Sequence, residues 1–273
     1  MNFYVDKKSS NYLMSLVWDT AYEKLDGRKQ YRGLILRNPE FSEFLSNEVN
    51  RKFYDAEGTS NLQNSFGDLS ETGFDSESLK SFFSSEEIPI DWKIGEKISE
   101  CFLEANCDSV FPYNDSRDAK DTKSNLPGTD MVGYVRIDEK PLFLFGEVKT
   151  SDDSANPPSV VYGKDGLIHQ LNEIKDDPKK RKELIIWLRH KISNLDDSPH
   201  QTAWRDAVIS YRRNEEYKIF GVMLRGVEPD ERDLKNVFGK VILNMKNEIY
   251  LELLSLYLPI LKQQYAKVMG GST

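Results

Sequence analysis

Cysteine and histidine are scarce in this chain of 273 residues, with two of the first and three of the second. Cys101 and Cys107 stand six apart, between helical repeats, and no Cys-x-x-Cys occurs. Neither a disulfide framework nor a zinc ribbon is expected. His169, His190 and His200 are scattered, so no His/Cys metal cluster assembles by local spacing. A bound metal would have to rest on carboxylates, which points to a hard cation such as Mg²⁺. Long apolar runs are missing too. Stretches such as Leu142-Phe143-Leu144-Phe145 fall far short of the ~20 residues of a membrane span. The first eight residues lack the ordered basic, apolar and small-residue regions of a secretory signal, so a cytoplasmic protein with no membrane contact is expected. Basic charge is also in deficit. At a net charge of −8 the chain is repelled by phosphate at long range. A nucleic-acid function would need a local basic face, a bound metal, or a partner that delivers the substrate.

What is present is an ordinary globular composition, 38% hydrophobic and 30% charged, long enough to bury a core without staples. Residues 1–90 read as an N-terminal module, with helices expected over 12–25 and 39–54. From Asp55 to Asp91 the acidic residues are opposed only by Lys80, and many serines accompany them. Phe66, Phe74, Phe82, Phe83 and Ile88 argue that parts of this stretch pack. From 92 to 104 the apolar residues Ile94, Ile98, Cys101 and Phe102 follow a helical period. A polar loop then leads to Pro127-Gly128. Residues 131–137 are β-branched and aromatic, 138–141 form a turn, and 142–149 are almost continuously apolar, as in a central strand covered on both faces. Helices are expected over 164–175, 179–192 and 202–213, and a strand over 217–224. Residues 248–257 fit strand alternation and helical spacing equally. Helix, hairpin, long helices, strand is an α/β order.

The chemistry concentrates at Asp130, Glu147 and Lys149. Glu147 and Lys149 lie two apart at the end of the apolar strand, so their side chains leave one face of the sheet. A hairpin brings Asp130, at the mouth of the preceding strand, beside Glu147. Two carboxylates next to an ammonium can hold Mg²⁺ against a phosphodiester, with the lysine stabilising or orienting the nucleophile. An acidic residue two before a lysine also occurs at Asp6, Asp91, Asp138, Glu173 and elsewhere, so the triplet alone carries no weight. Only Glu147 sets it at the end of a hydrophobic strand, where burying a Glu and a Lys is costly unless they are paired or metal-bound. The bland alternative is a Glu–Lys pair at a sheet end, with Asp130 a turn residue. Lys179-Lys180-Arg181-Lys182, followed by Arg189, Lys191, Arg205, Arg212 and Arg213, offers a basic face on a helical layer and a candidate DNA track. Lys164, near a helix start, is a candidate phosphate contact, as are Tyr162 and Gly163. His169 reads as structural.

This arrangement resembles the PD-(D/E)xK nuclease superfamily, although Gly-Thr-Asp stands where the usual pattern has Pro-Asp. The resemblance implies a restriction-endonuclease-like α/β core over 91–273, a central mixed sheet flanked by helices, behind an N-terminal helical or irregular extension. It also implies a carboxylate from the preceding helix in the metal site, a position matched by Glu96 with Glu100 as competitor. A Gln on the next helix would touch substrate or water, a position matched by Gln170. Gly128-Thr129-Asp130, Phe145-Gly146-Glu147-Val148-Lys149-Thr150-Ser151 and Pro157-Pro158-Ser159 through His169-Gln170-Leu171 are similar to HamA, the nuclease subunit of the Hachiman anti-phage system. That likeness implies a metal-dependent DNA endonuclease using Mg²⁺, with Mn²⁺ able to substitute, acting on DNA beside a HamB-like helicase subunit. The N-terminal third is then a candidate partner-binding region. A housekeeping repair or recombination nuclease and a non-catalytic assembly subunit are the alternatives.

Overall fold

A computed structural model describes residues 16–55, 90–114, 128–193 and 199–270. Most of the acidic stretch and of the polar loop ahead of Pro127 lies outside them. The organising element is a hairpin of β4 (Met131–Ile137) and β5 (Lys140–Ser151), joined at Asp138-Glu139, where both residues have positive φ (49° and 62°). Two such residues make the primed turn whose twist matches the strands it joins. β5 is apolar on both faces because both are covered. Phe143 packs edge-on against Tyr211, and Phe145 against Tyr217. Burying each such ring contributes roughly 1.5–3 kcal/mol.

β6 (Tyr217–Arg225) and β7 (Tyr250–Tyr257) extend the sheet in parallel from β5. β2 (Lys29–Leu36) adds in parallel to β7, and β1 (Trp18–Asp26) closes that edge antiparallel to β2. At the other edge β3 (Ser109–Val110) pairs antiparallel with β4. The result is a seven-stranded mixed sheet in the order β1-β2-β7-β6-β5-β4-β3, flanked by helices. The α/β expectation holds.

Side-chain alternation along β5 sorts the helices onto two faces. Gly146, Val148 and Thr150 face α3 (Asp91–Asn106), whose Gly95 lies so close that a Cβ there would sit 2.3 Å from Thr150 Oγ1. Phe143, Phe145, Glu147 and Lys149 face α4 (Leu167–Asp176), α5 (Pro178–Ile192) and α6 (Pro199–Asn214). The register shows this at Gly221, which pairs with Glu147 and lies beneath Leu167 and Leu171 of α4. α7 (Arg232–Val241) packs against α4, β2 and β7, and Lys175 caps it by donating to Val241 O and Leu243 O at 3.1 and 2.9 Å.

Two elements depart from expectation. The helix expected over 12–25 is, where described, strand β1. Leu16, Ala21 and Leu25 mimic a helical period, but Gly27-Arg28 turns the chain, with Gly27 at φ 59°, and pairing with β2 on both sides of a bulge at Ala21 outweighs local spacing. Residues 18–36, read as part of a separate N-terminal module, thus supply two strands to the same sheet as β5. The expected 39–54 helix is a broken one: α1 (Glu40–Phe44), a π-helical turn (Leu45–Val49) and α2 (Asn50–Phe53). The ambiguous 248–257 segment is β7. It lies between β2 and β6 with both faces buried, so its apolar residues carry no single period.

Candidate active site

In the β4–β5 hairpin Met131 pairs with Gly146, so the next rung sets Asp130 opposite Glu147. Side chains fix this end of the hairpin. Thr129 Oγ1 donates to Gly146 O at 2.7 Å, and the Val148 N–H donates to Asp130 Oδ2 at 2.8 Å. Glu147 is 1% exposed, and its Oε2 is buried without a hydrogen bond. Lys149 Nζ lies 3.7 Å from that oxygen and remains partly exposed. Burial and the charge of Asp130 together outweigh Lys149 and push the Glu147 carboxyl up to about 8.

α4 closes over this point because Gly221 leaves room for it. A Cβ on Gly221 would come within 2.7 Å of Leu253 and 2.8 Å of Leu171 side-chain atoms. Gln170, next to Leu171 on that helix, has a buried Oε1 with no hydrogen-bond partner. A buried oxygen without a partner is costly, and among those of the described residues are two on side chains singled out from sequence, Glu147 and Gln170. α5 approaches from the other side, its Lys180 tethered to Glu173 at 3.1 Å. Gly128 has φ 91°, and a Cβ there would lie 3.3 Å from Lys180 Cε. Gly128→Ala should therefore cost about 1–2 kcal/mol of strain and disturb the turn that presents Asp130. A lowered melting temperature together with weakened activity is the expected pair of results. Wild-type values for both would show that the turn tolerates a side chain.

Glu96 and Glu100 are not grouped with Asp130 and Glu147. Among the described residues, no three His, Cys, Asp or Glu side chains cluster to hold a metal ion. The physical reason is the alternation of β5, since α3 covers the Thr150 face and Glu147 points the other way. Glu100 is fully buried in a separate ion cluster, 3.0 Å from Lys97 Nζ and 3.2 Å from Lys52 Nζ. Burial alone would raise its carboxyl, but the two lysines hold it below the usual range.

The basic track needs correction as well. Arg181 is 5% exposed and faces inward, donating to Ile174 O and Lys175 O at 2.7 and 2.6 Å and to the Tyr211 hydroxyl at 3.0 Å. It caps the C-terminal carbonyls of α4, so no DNA phosphate can reach it. Lys179 projects into solvent and Lys164 is exposed, while Tyr162, beside Lys164, lies under the Lys240 ammonium at 5.2 Å. His169 forms a surface pair with Glu173 at 3.3 Å.

Sequence reading missed Gly221 and Arg225. For Arg225 the signal was available, because it is a charge at the end of a doubly covered apolar strand, the same feature that singled out Glu147. No helix among the described residues is long and apolar enough to cross a membrane. No curated protein matches the chain. The HamA family profile, however, matches residues 18–268, which takes in every strand of the sheet and the whole site around Glu147. The chain therefore belongs to the HamA family, a component of Hachiman defence systems.

Proposed function

We propose that this HamA-family chain is a Mg²⁺-dependent DNA endonuclease, the effector of its defence system, held and controlled by a helicase partner. The observation that carries the reading is the buried, hydrogen-bond-free Oε2 of Glu147 between Asp130 and Lys149. A carboxylate in that position is expensive unless a cation completes it. The donor set is oxygen-only, which suits Mg²⁺ or Mn²⁺. Asp130 and Glu147 would hold the ion, and Gln170 Oε1 is a further unsatisfied oxygen on the covering helix. Bound there, the cation would polarise the scissile phosphate and lower the pKa of a coordinated water.

The remaining work falls to the chain itself. The Val148 N–H fixes one Asp130 oxygen, so that carboxylate is aimed before substrate arrives. Lys149 offers an ammonium to the nucleophile or to the phosphate, with its stem inside and its head reachable from solvent. Gln170 can accept a hydrogen bond from a water or a substrate group. Without a cation, burial and the charge of Asp130 favour the protonated form of Glu147, so binding the cation displaces a proton. DNA approach falls to exposed cations such as Lys179 and Lys164, helped by the partner, because the chain as a whole is acidic.

Nicking of supercoiled plasmid by the purified protein in Mg²⁺, Mn²⁺ or EDTA tests the reading, with Lys149→Ala as comparison. Metal-dependent cutting that the substitution abolishes is expected, in the protein alone or once the helicase and ATP are supplied. Silence under both conditions would sink the enzyme and leave an assembly subunit.

A further inference from the structure

Arg225 is the last residue of β6 and is completely buried. It pairs with Ser151, one same-face position beyond the Lys149–Met223 rung. Its guanidinium reaches four acceptors at once. Nε donates to Asp233 Oδ2 at 3.0 Å, Nη1 to Ser151 O at 3.1 Å, and Nη2 to Ala155 O and Asn156 Oδ1, both at 3.0 Å. Asp233, in the first turn of α7, also accepts from the Tyr257 hydroxyl at 2.9 Å, and that hydroxyl bonds Tyr22 of the edge strand β1 at 2.8 Å.

Three of those four acceptors belong to the segment through which the chain leaves β5 for α4. Glu147 and Lys149 lie just before it and Gln170 beyond it. We propose that Arg225 is a positioning residue, a fork that clamps the 151–156 crossover so that the strand-borne and helix-borne members of the candidate site keep one mutual geometry. The activity arm of this inference rests on the nuclease reading above. The clamp itself does not.

A buried ion pair is weak evidence for a role in stability, since apolar replacements of both partners are often neutral. What an apolar pair cannot reproduce is the planar fork, which fixes several acceptors in a set relation. Lysine keeps the charge opposite Asp233 but cannot reach the same four atoms. Charge balance and clamping therefore come apart in three variants. Arg225→Met/Asp233→Leu removes both charges and orphans neither, Arg225→Lys keeps the pair without the fork, and Asn156→Ala removes one clamped acceptor.

Each is compared with the full-length protein by melting temperature, by amide hydrogen exchange over residues 152–158, and by steady-state plasmid cleavage with the helicase present. The double variant and Arg225→Lys leave acceptors of the crossover without a donor and are expected to melt below wild type, and, at a temperature where each is folded, to exchange faster over that segment than over the rest of the sheet. Their kcat should fall roughly 10–100-fold with KM little changed, and Asn156→Ala should show a smaller change in the same direction. Wild-type exchange and kcat in a folded Arg225→Lys protein would overturn the proposal. If the double variant does not fold, Arg225→Lys and Asn156→Ala decide the matter by the same readouts. If the wild type does not cleave at all, the nuclease reading fails separately, and unchanged exchange in Arg225→Lys would still overturn the clamp.

Discussion

Glu147→Gln should abolish metal-dependent cleavage, by about 1,000-fold or more, while making the metal-free protein more stable in alkali. Both effects follow from one carboxylate. The amide cannot supply the negative charge that holds a cation, so activity goes. The stability effect follows from the sign of the pKa change. Burial and Asp130 push Glu147 up to about 8 in the folded chain, whereas an unfolded Glu titrates near 4.3. The folded state therefore binds the proton more tightly. That contribution is complete below the unfolded value and is lost as pH rises through about 8. In EDTA the wild-type melting temperature should fall between roughly pH 5 and pH 9, a loss on the order of a few kcal/mol, and Glu147→Gln should be flat by comparison. Mg²⁺ should restore the wild type at the alkaline end, since an ion that binds only the folded state stabilises it, and leave the variant unmoved. Parallel melting curves for the two proteins across that range would show that Glu147 is not held in its proton-bound form.

Arg181→Ala should behave as a folding lesion rather than a DNA-binding one. Removing the guanidinium strands two carbonyls at the end of α4 and the Tyr211 hydroxyl, and it empties the space over Tyr217, where the cation stacks at 4.8 Å. The cost should be about 3 kcal/mol or more, a drop of roughly 10 °C in melting temperature for a chain of this size. At a temperature where it is folded, its affinity for duplex DNA and the salt dependence of that affinity should match wild type. Lys179→Ala should show the converse, a stability change within about 0.5 kcal/mol and, if it contacts phosphate, a salt slope reduced by about one. A shallower slope in Arg181→Ala would return that residue to the DNA track.

These two residues mark where sequence is enough and where it is not. Four apolar residues and a glycine followed by Glu-x-Lys, with Gly-Thr-Asp at the start of the preceding strand, determine a buried acid–base cluster on a central strand. Period-2 geometry and a two-residue turn leave little freedom in where those side chains go. The motifs around them also carried the family resemblance that the HamA match bears out. The long helices over 178–192 and 199–214 were legible from their spacing for the same local reason.

What only the tertiary structure decided are the relations between faces. Sequence cannot tell that α3 covers the Thr150 side of β5 and so leaves Glu96 outside the pair formed by Asp130 and Glu147. Nor can it tell which cation in Lys179-Lys180-Arg181 turns inward, because that depends on the rotation of α5 against α6 and on the carbonyls left open at the end of α4. β1 was misread because helical spacing of a few apolar residues is a local preference of tenths of a kcal/mol per residue, whereas strand pairing is a sum over many rungs with a partner that only the folded chain supplies. Arg225 belongs with them. Its charge at a strand end is visible in the sequence, but the four acceptors that give it a task come from β5, the crossover and α7, and only the fold brings them to one point.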